Sequence, residues 1–192
     1  MIPWKTPLDA AIAANSARPE SRYLQLATIA IGGGPSVRTM VFRRFFDHQT
    51  DRCFVFCSDL RSEKVVESRA NPLAQACWYF PETRQQFRIT GRLELVDSRT
   101  ADPEKIDLRN AVWRSLSDES RVTFAWPPPG EKLADLALFS VEVPNAFEPL
   151  DNFVLFIHRP MEVEMLDLRM KPHRRLLSAR TEAGWGLHPI NP

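Results

Sequence analysis

The feature that most constrains this chain is the length and spacing of its apolar runs. None is longer than about half a dozen residues, and Leu26 to Ile31, with Thr28 inside it, is typical. Such runs are rich in β-branched and aromatic residues and are bounded by Gly, Pro, Asn or Asp, the pattern of short strands joined by turns. Tyr23 to Ile31 reads as a strand, Gly32-Gly33-Gly34-Pro35-Ser36 as the turn after it, and Val37 to Phe46 as the second strand of that hairpin. Phe54 to Cys57, Leu73 to Phe80 and Phe87 to Val96 read as further strands. Late strands are expected at Leu138 to Val143, Phe153 to His158, Val163 to Leu168 and Arg174 to Arg180. Three helical stretches interrupt them. Leu8 to Ala17 is alanine-rich and ends before Pro19, Ser62 to Arg69 carries Val65 and Val66 on an apolar side, and Pro103 to Leu116 has apolar residues at helical spacing. Trp126-Pro-Pro-Pro-Gly130 predicts a rigid surface loop, since three prolines remove three backbone donors. Strands in series with few helices predict a mainly β fold, a barrel or sandwich with six or more antiparallel strands, and not alternating βα units.

A chain of 192 residues suits one domain over 1–192. The expected parts are an N-terminal helix in 1–20, a helix and Pro-rich loop inserted over 100–130, and C-terminal strands in 150–192. Net charge decides against one class of function. Lys plus Arg is 25 and Asp plus Glu is 24, so the chain is no nucleic-acid binder working by bulk charge. A local cluster of cations remains possible, and most of the cations are arginine, whose fork grips anions in fixed geometry. Three cysteines without a CxxC pair, no signal-peptide layout and no membrane-length apolar run point to a soluble chain of the reducing cytoplasm.

Several familiar chemistries fail on spacing. The glycine triplet lacks the third glycine of a dinucleotide fingerprint, because Val37 stands there, and a strand follows it where a helix would be needed. Cys53 and Cys57 share a strand face and the histidines are scattered, which predicts no metal site. No Gly-x-Ser-x-Gly elbow marks a nucleophilic hydrolase. The informative stretch runs from Arg38 to Gln86. Arg38 and Arg43 flank Thr39-Met40-Val41-Phe42 on one strand, which can offer its backbone to a flat ligand while its arginines hold an anion. Ser58-Asp59-Leu60-Arg61-Ser62-Glu63-Lys64 then opens a helix, and a helix start is an anion site because its first amides are unpaired and its dipole is positive there.

Together with Asn71-Pro72 and Gln85-Gln86-Phe87-Arg88-Ile89-Thr90-Gly91, these motifs resemble the FMN-binding split β-barrels of the pyridoxamine 5′-phosphate oxidase family. The resemblance covers roughly residues 20 to 97 and returns at Pro172-His173-Arg174-Arg175. It implies an FMN-dependent oxidoreductase, with hydride transfer between the flavin and a small substrate. It also implies a homodimer with FMN at the subunit interface, and neither nucleic acid nor membrane as partner. By the same resemblance, Arg38, Ser62 and Lys64 hold the phosphate and the backbone of Thr39, Met40 and Val41 meets the isoalloxazine edge. Arg43, Cys57, Ser58, Gln86 and Arg175 lie about the cofactor, Arg43, Lys171 and His173 face substrate, and His173 is the catalytic candidate. The sequence departs from the oxidases at the substrate end. Trp113, Ser117 and Arg121 stand where those enzymes grip the substrate phosphate and match none of its residues; Glu63 replaces an arginine beside the lysine, and Leu166 a tryptophan. The alternative is a module that binds FMN, or haem, without turnover.

Overall fold

The computed structural model describes residues 2–48 and 51–192. Among these lie nine strands, each pairing antiparallel: β1 (Tyr23–Ile29), β2 (Pro35–Val41), β3 (Arg44–His48), β4 (Asp51–Asp59), β5 (Leu73–Phe80), β6 (Gln85–Val96), β7 (Phe153–Asp167), β8 (Arg174–Thr181) and β9 (Gly184–Ile190). Helices α1 (Lys5–Ala14), α2 (Glu63–Ala70), α3 (Pro103–Arg114) and α4 (Asp118–Val122) flank them. The strand order is β2-β1-β5-β6-β7-β4-β3, with β8 on β7 and β9 on β8. The two ends of that order, β2 and β3, are consecutive in the chain. The expected single strand from Val37 to Phe46 is therefore two. At the corner, the Phe42 amide donates to Arg22 O (2.8 Å) and the Arg43 amide to Val55 O (2.9 Å), so the chain leaves β1 and joins β4. This corner closes the sheet into a split barrel.

The two late strands expected from Phe153 are instead one 15-residue strand. Its first half pairs with β4, its second with β8, and β6 runs along both. The register steps at Thr90/Gly91, where Gly91 faces Pro160, Thr90 faces Glu162, and Met161 is the extra residue of a bulge. The bulge absorbs a proline that cannot donate to the ladder. Glycine is required there, since a Cβ on Gly91 would lie 2.1 Å from Arg159 O. The strand expected at Leu138 to Val143 is absent. Asp135 accepts the Ala137 amide and starts a single 3₁₀ turn, Leu136–Phe139, whose apolar side chains are mostly exposed.

Two cores result. Leu24, Leu26, Phe54, Phe56, Trp78, Phe87, Ile89 and Phe156 fill the barrel, while Val55, Leu155 and Ile157 pack outward against Leu108, Val112 and Trp113 of α3. Strands β4 and β7 are thus covered on both faces, which explains their unbroken apolar runs. The expected apolar pair on α2 divides: Val65 is buried and Val66 is exposed. No helix among the described residues is long and apolar enough to cross a membrane.

Candidate functional site

The site is built around the start of α2. Ser62 occupies the N-cap position in extended conformation, yet its hydroxyl does not cap the helix. It donates instead to Asp59 O (2.7 Å) and lies 3.1 Å from Ser58 Oγ. The first amides of α2 thus receive no side-chain acceptor from their own cap, and they point outward with the positive end of the dipole. Lys64, the second residue of the helix, sits among them half-buried. Its Nζ donates to Ser58 Oγ (3.3 Å), and it has no carboxylate partner among the described residues. Burial, and then the neighbouring Arg38 guanidinium, hold its pKa below the ordinary lysine value. A cation destabilised by its surroundings at an uncapped helix start favours a bound anion.

Arg38 reaches the same place from β2 but is less free. Its guanidinium donates to Leu26 O, Thr28 Oγ1, Ser36 Oγ and Glu67 Oε2, the last at 2.8 Å. Glu67 is fully buried on the inner side of α2 and also accepts from Thr28. Burial opposes its ionisation, but the hydrogen bonds from Thr28, Ser36 and Arg38 outweigh that and keep its pKa low. The pair ties α2 to β2 and fixes Arg38 beside Lys64. Sequence reasoning passed over Glu67, because a glutamate in a charged helix reads as solvated.

A cleft of about 510 Å³ opens over these groups. Arg38, Thr39 and Met40 of β2, Cys57 and Ser58 of β4, and Ser62 and Lys64 line it, with Pro129 and Gly130 of the Pro-rich loop opposite. Strand β2 pairs with β1 on one edge only, so its other edge keeps backbone donors and acceptors for a ligand. Arg43 stands at the corner, with its Nε buried and without a partner. Burial pushes the Cys57 thiol up, with Arg43 opposing, so Cys57 enters the cleft as a neutral thiol. Among the described residues no cluster of His, Cys, Asp and Glu suits a metal ion.

The remaining candidates lie elsewhere on the single chain. Val41 belongs to β2 but does not line the cleft. Gln86, Leu166 and Arg175 form one row across β6, β7 and β8. Arg175 pairs with Glu164 at 2.9 Å, and Arg88 approaches the same carboxylate at 3.6 Å. Lys171 and His173 are exposed between β7 and β8; His173 Nδ1 lies 2.8 Å from Met170 O and therefore carries the proton of that bond. Trp113 is buried and donates to Asn145 O (2.8 Å), and Arg121 is held by Leu116 O and Asp118. Both are spent on structure.

The chain is similar to known proteins. The family model "Pyridoxamine 5'-phosphate oxidase, FMN-binding domain" matches residues 1–97. Pyridoxine/pyridoxamine 5′-phosphate oxidase 2 of Arabidopsis thaliana is 36% identical over 100% of this chain and 98% of its own. A pyridoxamine 5′-phosphate oxidase-related, FMN-binding protein of Nostoc punctiforme is 37% identical, covers 100% of this chain and 99% of its own, and superposes with a TM-score of 0.93. PhzG of Burkholderia lata shares the fold, with a TM-score of 0.78 at 23% identity over 98% of this chain and 92% of its own. Full-length similarity to two such proteins, together with the family match across the half that builds the cleft, makes this chain a member of the FMN-binding pyridoxamine 5′-phosphate oxidase family.

Proposed function

We propose that this chain is an FMN-dependent oxidoreductase for a small molecule, folded as one domain over 1–192 and active as a homodimer. The observation that carries the proposal is Lys64: a half-buried cation without a carboxylate, at a helix start whose serine does not cap it. That arrangement fits a phosphate. Lys64 and the first amides of α2 would hold it, with Arg38 alongside and Ser62 once its hydroxyl turns from Asp59 O, and the free edge of β2 at Thr39, Met40 and Val41 would meet the isoalloxazine. Cys57, Ser58 and Arg43 would border the ring. When bound, the flavin supplies hydride transfer at its N5. The chain's own part is to bind and orient it, to surround it with positive charge, and to place a proton carrier. His173 suits that last role, because its Nδ1–H is committed to Met170 O and its Nε2 stays free to take or give a proton.

The separation of the candidates supports the dimer. Gln86, Lys171, His173 and Arg175 do not line the cleft of their own chain, so a second copy would bring them to it. The same separation favours a second reading, a module that holds FMN without turnover, should no copy close over the cleft.

Purified protein is expected to be yellow, to bind FMN at one per chain by fluorescence quenching, and to elute as a dimer. Its reduced flavin is expected to be reoxidised faster, or its oxidised flavin reduced faster, by a member of a substrate panel. That panel starts with pyridoxine and pyridoxamine 5′-phosphates, the compounds in the Arabidopsis relative's name. Colourless protein that takes up no added FMN would overturn the proposal. Bound flavin that no substrate accelerates would leave the module.

A further inference from the structure

Lys64 and Ser62 do not serve one cleft alone. A second cleft of about 420 Å³ shares them, together with Pro129 and Gly130, and runs away from β2 beneath the Pro-rich loop. Either volume is in the range, about 300–1,000 Å³, that commonly holds a small ligand. The walls of the second cleft differ from those of the first. Phe124, Trp126 and Phe139 line it along with Pro127, Pro128 and Pro129. Prolines lack backbone donors, so these walls are mostly flat and apolar. Trp126 meets Phe139 edge to face at 5.7 Å, and its Nε1–H is buried without an acceptor.

The loop is also held in place. Arg61 donates to Phe124 O (3.3 Å) and Trp126 O (3.0 Å), and Asn152 donates to Phe124 O (2.8 Å). Two carboxylates line this cleft, Asp59 and the exposed Glu131; Asp59 is already engaged by Arg61 at 2.6 Å and Asn152 at 2.8 Å, so it presents little free negative charge. Lys132 adds a second cation to the lining. An anion anchor thus sits at the junction of two compartments. One has a strand edge for a flat ring, the other has aromatic walls and a further lysine.

We propose that the second cleft takes an adenylyl group carried on the flavin's phosphate, so that this chain accepts flavin adenine dinucleotide as well as FMN. The inference rests on the flavin reading of the first cleft. The pyrophosphate would lie between Lys64 and Lys132, and the adenine would stack on the part of the Trp126 ring that lines the cleft.

The test is a fluorescence titration of the full chain with riboflavin, FMN and FAD. FAD is expected to bind within about tenfold of FMN, with riboflavin weaker than both. Trp126→Ala is expected to weaken FAD by about tenfold or more, the size of one lost base stack, and to leave FMN within about twofold. Trp126→Phe keeps a smaller aromatic face, so a smaller loss confined to FAD is expected; it also serves if the alanine variant melts early. FMN bound with FAD excluded would overturn this inference alone, as would an equal loss of both ligands in each variant. Failure to bind either flavin would overturn the reading of the first cleft and this inference with it.

Discussion

Lys64 and Lys105 both occupy the first turn of a helix, a place where the dipole disfavours a cation. Their surroundings are opposite. At the start of α3, Asp102 caps the helix by accepting the amides of Glu104 and Lys105. Lys105 then pairs with Glu94 at 2.6 Å and Asp102 at 3.1 Å, and these hydrogen bonds raise its pKa above the ordinary value. At the start of α2 the serine does not cap, no carboxylate reaches Lys64, and its pKa is lowered. One helix start is complete in itself and the other is left open toward a cleft. The comparison teaches that residue type and helix position do not separate a structural lysine from a binding one; partners do. His158 supplies the limiting case. It has no side-chain hydrogen-bond partner for either ring nitrogen, but it is sealed inside the barrel and lines neither cleft beside Lys64.

The largest expected effect tests what holds the open end together. Arg38→Ala strands the buried Glu67 carboxylate, and unfolding in urea is expected to become easier by about 3 kcal/mol. Adding Glu67→Gln to that variant should return most of the loss. If Arg38→Ala proves as stable as the parent chain, the pair is not structural and Arg38 is free to act as a phosphate ligand alone.

A comparable effect belongs to His158. Burial lowers its pKa to about 4 from the ordinary 6.5. The folded-state value lies below the unfolded one, so its contribution is complete above pH 6.5 and is lost as the pH falls from there toward 4. Over that window the parent chain is expected to lose about 3 kcal/mol to this group. His158→Phe should flatten that limb in chemical denaturation at each pH, and an unchanged acid limb would contradict the sealed, neutral imidazole.

Lys64→Ala sharpens the central contrast. It is expected to weaken FMN by about tenfold to a hundredfold, as for loss of one charge-assisted hydrogen bond, with the melting temperature unchanged or slightly raised. Lys105→Ala is the counterpart and the smallest effect. Stability should fall by about 1 kcal/mol, since its partners are partly solvated, and FMN affinity should stay the same. Were the two variants to exchange these outcomes, the assignment of binding and structural roles would be reversed.

Much of the first half was legible because its signals are local. The Gly32–Pro35 turn and Asn71-Pro72 after α2 are fixed by backbone rules that act over a few residues, whereas the pairing of Arg38 with Lys64 was legible only through the motif order of the family. The late strands were harder for a definite reason. Pro160 looks like a strand end in sequence, whereas in the fold a bulge opposite Gly91 carries the ladder past it. Leu138 to Val143 alternates like a strand, but no free sheet edge pairs with it, and the Asp135 side chain starts a turn instead.

By itself the sequence determined the fold class, the family motifs and the presence of cations near a helix start, since periodicity, turn chemistry and motif order need no knowledge of distant neighbours. Only the tertiary structure decided which cations are spent. Glu67 reaches Arg38 across 29 residues, and Glu94 pairs with Lys105 from a neighbouring strand. Asp102 closes one helix start while Ser62 turns away from the other. Coulombic attraction and desolvation act over a few ångströms of space, whatever the distance along the chain, so the open site at Lys64 becomes visible only once the barrel has closed.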